Sequence, residues 1–321
     1  MRCTEVVDGS FPEEVLAAWL EAWEADPAAS LFQHPAWCAA NLPSVQGSAL
    51  VVGDRTAVLP VRLDDATLRF LPDPSVSDLA GPVGGADRDQ AAKDMIAALE
   101  EIPWTSADLD GLLEEDGWLK PLHHAAESRG WKSRVEPVAV SPAIRLDGDF
   151  DAYLASLDSK QRHEVRRKAR RLTREIGEWT TRLSDADSLD RDLEAFFALH
   201  RLAAGDKGSF MTPDHEDLFR RVAEATLGLG MLRLSWLEDH DGRGLASVFS
   251  FLVRDRWLVW NSAFDPEYRN LSVGMVAMAE QIRLACQAGA RSFDLLRGDE
   301  EYKYRLGASD VAVFALRWER S

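Results

Sequence analysis

The sequence has few cysteines, no long apolar run and a deficit of positive charge. Its three cysteines lie far apart without a CxxC spacing, which favours a reducing cytoplasm and argues against structural zinc. The apolar runs are much shorter than the roughly 20 residues of a membrane-spanning helix, and the acidic N-terminus lacks the apolar core of a signal peptide. The formal net charge of −17 disfavours general binding to nucleic acids or anionic membranes. We therefore expect a cytoplasmic protein that holds any anionic ligand through local positive features.

The most informative stretch covers residues 257–307. A strand pattern at 257–264 meets an Asp-Pro turn, and a loop at 269–274 then opens a helix. A second strand pattern follows at 291–296. A strand, a loop, a helix and a strand in this order present backbone N–H groups and the positive end of a helix dipole to a phosphate. The pattern therefore predicts a ligand that carries a pyrophosphate.

The loop has a specific sequence pattern, because Arg269, Ser272 and Gly274 give it the form R-x-x-S-x-G. This form resembles the Q/R-x-x-G-x-G/A loop with which acyl-CoA-dependent N-acyltransferases of the GNAT superfamily hold the CoA pyrophosphate. Ser272 stands where that loop has its middle glycine. The alternative is an ordinary strand-to-helix turn in which Ser272 is the N-cap.

Three further segments extend the resemblance to the CelD-type and FemAB-like members of that superfamily. Residues 293–303 resemble their fDl-x-x-G turn and the YK motif that follows it. A basic helix at 160–174 and a turn at 207–211 match upstream segments. The four segments occur in the same order and cover residues 150–307, about half of the chain.

The resemblance implies an α+β fold of tandem GNAT-like domains, each a mixed, mostly antiparallel sheet flanked by helices. The predicted elements agree, since helices precede an antiparallel meander and a later helix crosses over to another strand. The first half of the chain has a rougher version of the same order. We expect a degenerate GNAT-like domain at residues 1–148 and the acyltransferase domain at 149–321.

The function that the resemblance implies is the transfer of an acetyl or longer acyl group from acyl-CoA to an amine of a small-molecule acceptor. The residues that it implies for CoA binding are Phe264, Arg269, Asn270, Leu271, Ser272, Val273 and Gly274. Nothing in the sequence supports an obligatory metal.

A basic helix is unexpected in so acidic a chain. Eight cations lie within fifteen residues: Lys160, Arg162, Arg166, Arg167, Lys168, Arg170, Arg171 and Arg174. This cluster suits an anionic acceptor, the CoA 3′-phosphate or an RNA acceptor stem, and the alternative is a solvated face that pairs with acids elsewhere. The candidate substrate-binding residues are Arg166, Arg167 and Arg170, with His200 and Arg297. A histidine at the position of His200 is more often a packed helix residue.

The candidates for the chemistry lie in the tail of the signature. In many GNAT enzymes a tyrosine four residues before a glycine protonates the departing CoA thiolate, and counting back from Gly307 gives Lys303 instead. The resemblance places a lysine of the YK motif at the active centre, where it would stabilise an oxyanion or thiolate. The alternative is a surface lysine beside acidic neighbours. Tyr302 and Tyr304 are candidate proton donors, and Asp294 is a base, an acceptor anchor or a structural acid.

Two other functions stay open. A FemAB-like transferase that takes an aminoacyl group from a charged tRNA is favoured by the tandem layout, the basic helix and the YK motif, although the net acidity counts against it. A non-catalytic GNAT scaffold that binds a ligand or a partner is favoured by Ser272 and by the missing standard tyrosine. We expect no membrane partner, and no nucleic acid except under the tRNA alternative.

Overall fold

The computed structural model describes residues 1–6, 9–203 and 206–320. It divides into two compact units. Unit 1 comprises Met1–Val140 and the chain from Val311 onward, and unit 2 comprises Ser141–Asp310. Across the described ranges, every helix is too short or too polar to cross a lipid bilayer.

The first part of the chain alternates helices with strands of unit 1. Its elements are β1 (Arg2–Glu5), α1 (Glu13–Ala25), α2 (Pro35–Asn41), β2 (Ser48–Gly53), β3 (Ala57–Asp64), β4 (Thr67–Phe70), β5 (Val83–Gly84), α3 (Arg88–Leu99), β6 (Ser106–Leu113), α4 (Leu119–Ser128) and β7 (Lys132–Val140). Local chemistry sets the helix ends. Asp87, for example, begins α3 by accepting a hydrogen bond from the amide of Gln90 at 3.0 Å.

The second part of the chain forms unit 2 and the last strand. Its elements are β8 (Ala143–Arg145), α5 (Phe150–Ser156), α6 (Ser159–Ile176), β9 (Trp179–Leu183), α7 (Leu189–Arg201), α8 (Asp206–Phe210), α9 (Pro213–Gly228), β10 (Leu232–Asp239), β11 (Gly244–Val253), β12 (Arg256–Phe264), a 3-10 turn (Pro266–Leu271), α10 (Val273–Gln287), β13 (Ser292–Asp294), α11 (Glu301–Arg305) and β14 (Ala312–Glu319). Asp158 and Gln161 form a capping box at the start of the basic helix α6. Most of the predicted turn at 207–211 belongs to α8, and the side chain of Lys207 lies outside the described residues.

The sheet of unit 1 has the strand order β1-β2-β3-β4-β6-β14-β7, and β5 pairs with β3. β4 and β6 run parallel, and the other pairs are antiparallel. Helices α3 and α4 cover this sheet over a core that contains Leu109, Trp118 and Trp318, each at most 1% exposed.

The sheet of unit 2 has the order β8-β13-β12-β11-β10-β9. β12 and β13 are its parallel pair, joined through the crossover helix α10, and they pair only from Arg256 to Leu258 on β12. β12 then continues to Phe264 along its partner β11, with a bulge near Trp260. The edge of β12 that faces away from β11 is therefore left without β13 as a partner after Leu258.

These two sheets confirm the predicted α+β class with a mixed, mostly antiparallel sheet in each part. The division of the chain differs from the predicted domains at 1–148 and 149–321. β14 comes from the C-terminal end of the chain, yet it lies between β6 and β7 in the sheet of unit 1. β8 in turn pairs with β13 in unit 2. β14 buries Val313, Ala315 and Trp318 in that sheet. The C-terminal strand therefore belongs to unit 1 through its pairing and burial, although it follows unit 2 along the chain.

Candidate active site

A cavity of about 380 Å³ lies in unit 2, where β12 extends past β13 and α10 begins. Its lining combines apolar and polar residues: Ser262, Phe264, Arg269, Ser272, Val273, Gly274, Met275, Met278, Glu300 and Tyr302. The volume is within the range of small-ligand pockets, about 300–1,000 Å³. A wider cavity of about 570 Å³ lies in unit 1 beside α1, and none of the predicted site residues line it.

The backbone at Ser272 turns the chain from the 3-10 turn into α10. Ser272 has the left-handed conformation (φ 60°, ψ 37°), which costs free energy for any residue other than glycine. Its amide donates to the carbonyl of Arg269 at 3.0 Å, and its carbonyl accepts from the amides of Met275 and Val276. Ser272 is the N-cap residue of α10, as the alternative expects, but its hydroxyl makes no capping hydrogen bond. The first amides of α10, those of Val273 and Gly274, have no acceptor within the helix.

Gly274 is not required by its backbone angles, and the space beside it admits a methyl group but not a longer side chain. Its φ is outside the left-handed region, and a Cβ atom built on it would lie 3.4 Å from Cδ1 of Phe264. A longer side chain would therefore extend into the space that Phe264 lines.

The structure brings five of the seven predicted CoA-binding residues together: Phe264, Arg269, Ser272, Val273 and Gly274 line the cavity. Asn270 and Leu271 lie in the preceding 3-10 turn and are not part of the lining. Leu271 instead packs against the core of unit 2. Arg269 is exposed and brings a cation to the same cavity wall as the start of α10.

Tyr302 lines the cavity from α11, and Glu300 lines it from just before that helix. Burial raises the pKa of the Tyr302 hydroxyl, and the nearby charge of Glu300 raises it further. Tyr302 therefore keeps its proton at neutral pH. Tyr304 is not part of the lining and donates its hydroxyl to Asp310 at 2.8 Å. This hydrogen bond is the main reason why the pKa of Tyr304 is raised to about 12.

Lys303 is buried at 2% exposure and does not line the cavity. Its ammonium donates to the carbonyls of Leu296, Arg297 and Gly298 at 2.9, 2.7 and 3.0 Å, and it pairs with Glu300 at 3.0 Å. Its protons are thus used to close the 296–300 loop. The expected oxyanion role gains no support from this geometry. The surface-lysine alternative is wrong about exposure, because the residue is buried, but its expected pairing with Glu300 is present.

Asp294 is also buried and organises the same loop. Its Oδ1 accepts from the hydroxyl of Ser141 at 2.9 Å and from the amide of Leu296 at 2.8 Å, and its Oδ2 lies 3.4 Å from Arg256. Leu296 is left-handed with φ 57°, so the carboxylate stabilises an uncommon turn. Asp294 does not line the cavity. The geometry corresponds to the structural acid among the three expected roles.

His200 and Arg297, two predicted substrate-binding residues, do not line the cavity. His200 is 1% exposed on α7, and its Nε2 lies 3.1 Å from Oδ1 of Asn261 on β12. It packs beside Phe196, as the packed-residue alternative expects. Arg297 is half-buried in the loop that Lys303 closes.

The basic helix α6 packs against α10 and the 3-10 turn. Arg166, Arg167 and Arg170 are exposed, and none of them makes an ion pair with an acid that the structure describes. Lys168 does pair, with Glu164 at 3.1 Å. Arg167 adds to the effect of Lys168 in lowering the pKa of the Glu164 carboxyl, and the exposure of the three arginines agrees with the alternative of a solvated face. They lie outside the cavity lining, and Arg166 lines a neighbouring groove between α5, α6 and α10.

Sequence reasoning missed four of the lining residues: Ser262, Met275, Met278 and Glu300. Ser262 had a readable signal, because it is two residues before Phe264 on a strand and so shares its face. Glu300 had none, because only the folded loop brings it to the cavity. In the part of the chain that the structure describes, no group of three or more His, Cys, Asp and Glu residues is arranged to hold a metal.

The first turn of the crossover helix α10 opens on this cavity, beside the part of β12 that extends beyond its pairing with β13. Residues 159–304 match the family model of an acetyltransferase (GNAT) domain. The match covers a little under half of the chain and lies within unit 2, so this region is similar to a GNAT domain. The fold of the chain is like that of FemX.

Several solved structures have the same fold, and almost the whole of this chain aligns with each of them. FemX has a TM-score of 0.67 at 13% identity, covering 98% of this chain and 97% of that one. The C-terminal domain of a putative lysylphosphatidylglycerol synthetase from Agrobacterium fabrum has a TM-score of 0.61 at 14% identity, with coverages of 96% and 92%. L-PGS from Bacillus licheniformis has a TM-score of 0.64 at 12% identity, with coverages of 97% and 93%. At these identities the likeness concerns the fold alone. No curated protein matches the chain in sequence.

Proposed function

We propose that unit 2 is an acyl-CoA-dependent N-acyltransferase that transfers an acetyl or longer acyl group to the amine of a small-molecule acceptor. The observation that carries this proposal is one cavity in which Arg269 and the first turn of α10 lie beside Phe264, Met275 and Met278. It offers an anion site and an apolar surface in one space. A thioester that carries a pyrophosphate needs both.

The residues present fit acyl-CoA as the donor. Arg269 and the amides of Val273 and Gly274 would hold the pyrophosphate, because the first amides of a helix have no acceptor within it. Phe264 and Met278 would pack on the apolar arm. When bound, acyl-CoA supplies an activated acyl carbon. The edge of β12 beyond its short pairing with β13 offers backbone groups for the carbonyl, and burial keeps a proton on Tyr302 for the leaving thiolate.

The experiment that tests the donor compares Gly274→Glu with Gly274→Ala. The alanine Cβ would be in ordinary contact, 3.4 Å from Phe264, so this variant should fold and keep its affinity. The glutamate places a negative charge at the anion site and should abolish binding of acetyl-CoA and longer acyl-CoAs in calorimetry. A folded Gly274→Glu variant with unchanged affinity would contradict the proposal.

A charged tRNA is the second donor to consider, since Arg166, Arg167 and Arg170 are exposed on α6 and none of them makes a direct ion pair with a described acid. If they dock an RNA acceptor stem, affinity for aminoacyl-tRNA should fall steeply with salt. Changing all three to Gln should weaken binding and flatten that dependence, whereas Arg134→Gln, an exposed arginine of unit 1, should not. Absent or salt-insensitive binding removes this alternative.

A non-catalytic, ligand-binding role is favoured by Ser272 in the loop and by Lys303 at the usual tyrosine position. Turnover of any acyl donor by the purified protein would dismiss it. For the compartment, the free thiols of Cys3, Cys38 and Cys286 support a reducing cytoplasm.

A further inference from the structure

Glu300 is the only carboxylate among the described residues that line the cavity of unit 2. An amine in water carries a proton and cannot attack a carbonyl until it loses that proton. The charged side chain on the facing loop, Arg269, repels an ammonium group and suits the anionic donor. The cavity therefore has one group with the charge that attracts a protonated amine and the chemistry that removes its proton.

Contacts within the 296–300 loop fix the position of the Glu300 carboxylate. Oε2 lies 3.0 Å from the buried Lys303 ammonium, which is itself fixed by three backbone carbonyls. The carboxylate also lies against the Cα atom of Gly298, where φ is 114° and a Cβ would come within 2.4 Å of Oε2. The side chain remains 57% exposed, so an acceptor from solvent can reach it.

We propose that Glu300 is the catalytic base of this site and that the acceptor is an amine that arrives as an ammonium ion. This inference rests on the proposed function. Glu300 takes one proton from the ammonium nitrogen and passes it to solvent. The amine then forms the C–N bond as the thioester C–S bond breaks. Tyr302 gives its proton to the sulfur, and the second proton lost by the nitrogen restores the Tyr302 hydroxyl.

Two neighbouring residues have positioning roles in this arrangement. Lys303 holds one carboxylate oxygen, and Gly298 leaves the space in which the carboxylate lies. Glu301, the next residue, offers a matched control because it pairs with Arg305 at 2.7 Å and does not line the cavity.

The test uses the full chain, acetyl-CoA and a panel of primary amines, with release of free CoA thiol as the readout. Glu300→Gln should lower the transfer rate by roughly 10²–10⁴-fold, the usual contribution of a general base. Its affinity for acetyl-CoA in calorimetry should stay within about twofold, because Glu300 acts on the acceptor. Glu301→Gln should leave both quantities unchanged.

A second variant moves the carboxylate without removing it. Gly298→Ala is strained at φ 114° and displaces Glu300, so it should lower the transfer rate, and retained acetyl-CoA affinity would show that the cavity still forms. If Glu300→Gln transfers at the wild-type rate, Glu300 is only the partner of Lys303 and the inference is overturned. If the wild type binds acetyl-CoA but acylates none of the amines, the inference is overturned as well. If the wild type does not bind acyl-CoA at all, both the proposed function and the inference about Glu300 are contradicted.

Discussion

The ammonium of Lys303 donates a hydrogen bond of 2.9 Å to the carbonyl of Leu296, a residue with the left-handed φ of 57°. Two more carbonyls of the same loop accept from this ammonium. The lysine of the YK motif therefore fixes the loop that carries Glu300 to the cavity. It does so from a buried position, where a replacement would leave several acceptors without a donor.

Lys303→Met should destabilise unit 2, because it removes the donor for one buried and two part-buried carbonyls and the partner of Glu300. We expect a loss of about 3 kcal/mol in the free energy of unfolding, measured by denaturant titration. Arg305→Gln, an exposed cation on the same helix, should change stability little. A Lys303→Met protein that is as stable as the wild type but inactive would instead assign Lys303 to the chemistry.

The variant Asp294→Asn distinguishes a structural role of Asp294 from a role as the general base. The amide oxygen can still accept from Ser141 and from the amide of Leu296, so stability should fall by only about 1 kcal/mol. Acyl transfer should stay within about tenfold of the wild type, whereas loss of a general base costs roughly 10²–10⁴-fold. Asp294→Ala should cost about 2–3 kcal/mol, because it removes the acceptor of Ser141, of the Leu296 amide and of Arg256. A rate loss near 10³-fold in a stable Asn variant would contradict the structural role.

Ser272→Gly should stabilise the protein by up to about 1 kcal/mol, because glycine adopts the left-handed conformation without strain. Acetyl-CoA affinity should be retained, since the hydroxyl makes no capping hydrogen bond. Ser272→Val should lower stability by about 1–2 kcal/mol, because a β-branched residue is strained there. Thermal unfolding and calorimetry check both variants. Destabilisation by the glycine would mean that the hydroxyl makes a contact of its own.

The Asp192 carboxyl on α7 should make unit 2 sensitive to acid. Burial alone would raise its pKa, but hydrogen bonds from Arg182 at 2.8 Å and Ser184 at 2.7 Å outweigh burial and lower the pKa to about 2. A pKa that is lower in the folded state contributes stability above the unfolded value, near 3.8, and loses it as the pH falls towards 2. The contribution is roughly 2 kcal/mol at neutral pH.

Urea titrations at several pH values test this expectation. The stability difference between the wild type and Asp192→Asn should be largest above pH 4 and should shrink towards pH 2. Asp190→Asn, an exposed acid on the same helix, is the control and should show no such trend. A difference that does not depend on pH would rule out the proposed role of the carboxyl charge.

The sequence by itself determined the local part of the site. The strand, the loop and the helix from Trp257 to Gln287 follow from short-range pattern, and Phe264, Arg269 and Gly274 meet on the cavity as expected. These three residues lie within eleven consecutive positions that join the end of β12 to the start of α10. The sequence of this short segment is therefore enough to predict that they lie close together.

Only the tertiary structure decided the hydrogen-bond partners of Asp294 and Lys303, the place of Glu300 and the sheet to which β14 belongs. From sequence alone, a charged residue such as Lys303 is predicted to be exposed. In the folded protein it is buried, because loop carbonyls surround its ammonium. The hydrophobic alternation of β14 indicates a strand but not its neighbours, because β6 and β7 lie far away along the chain. Pairing partners and burial are set by contacts across the whole sheet, and these depend on free energies that a local pattern does not contain.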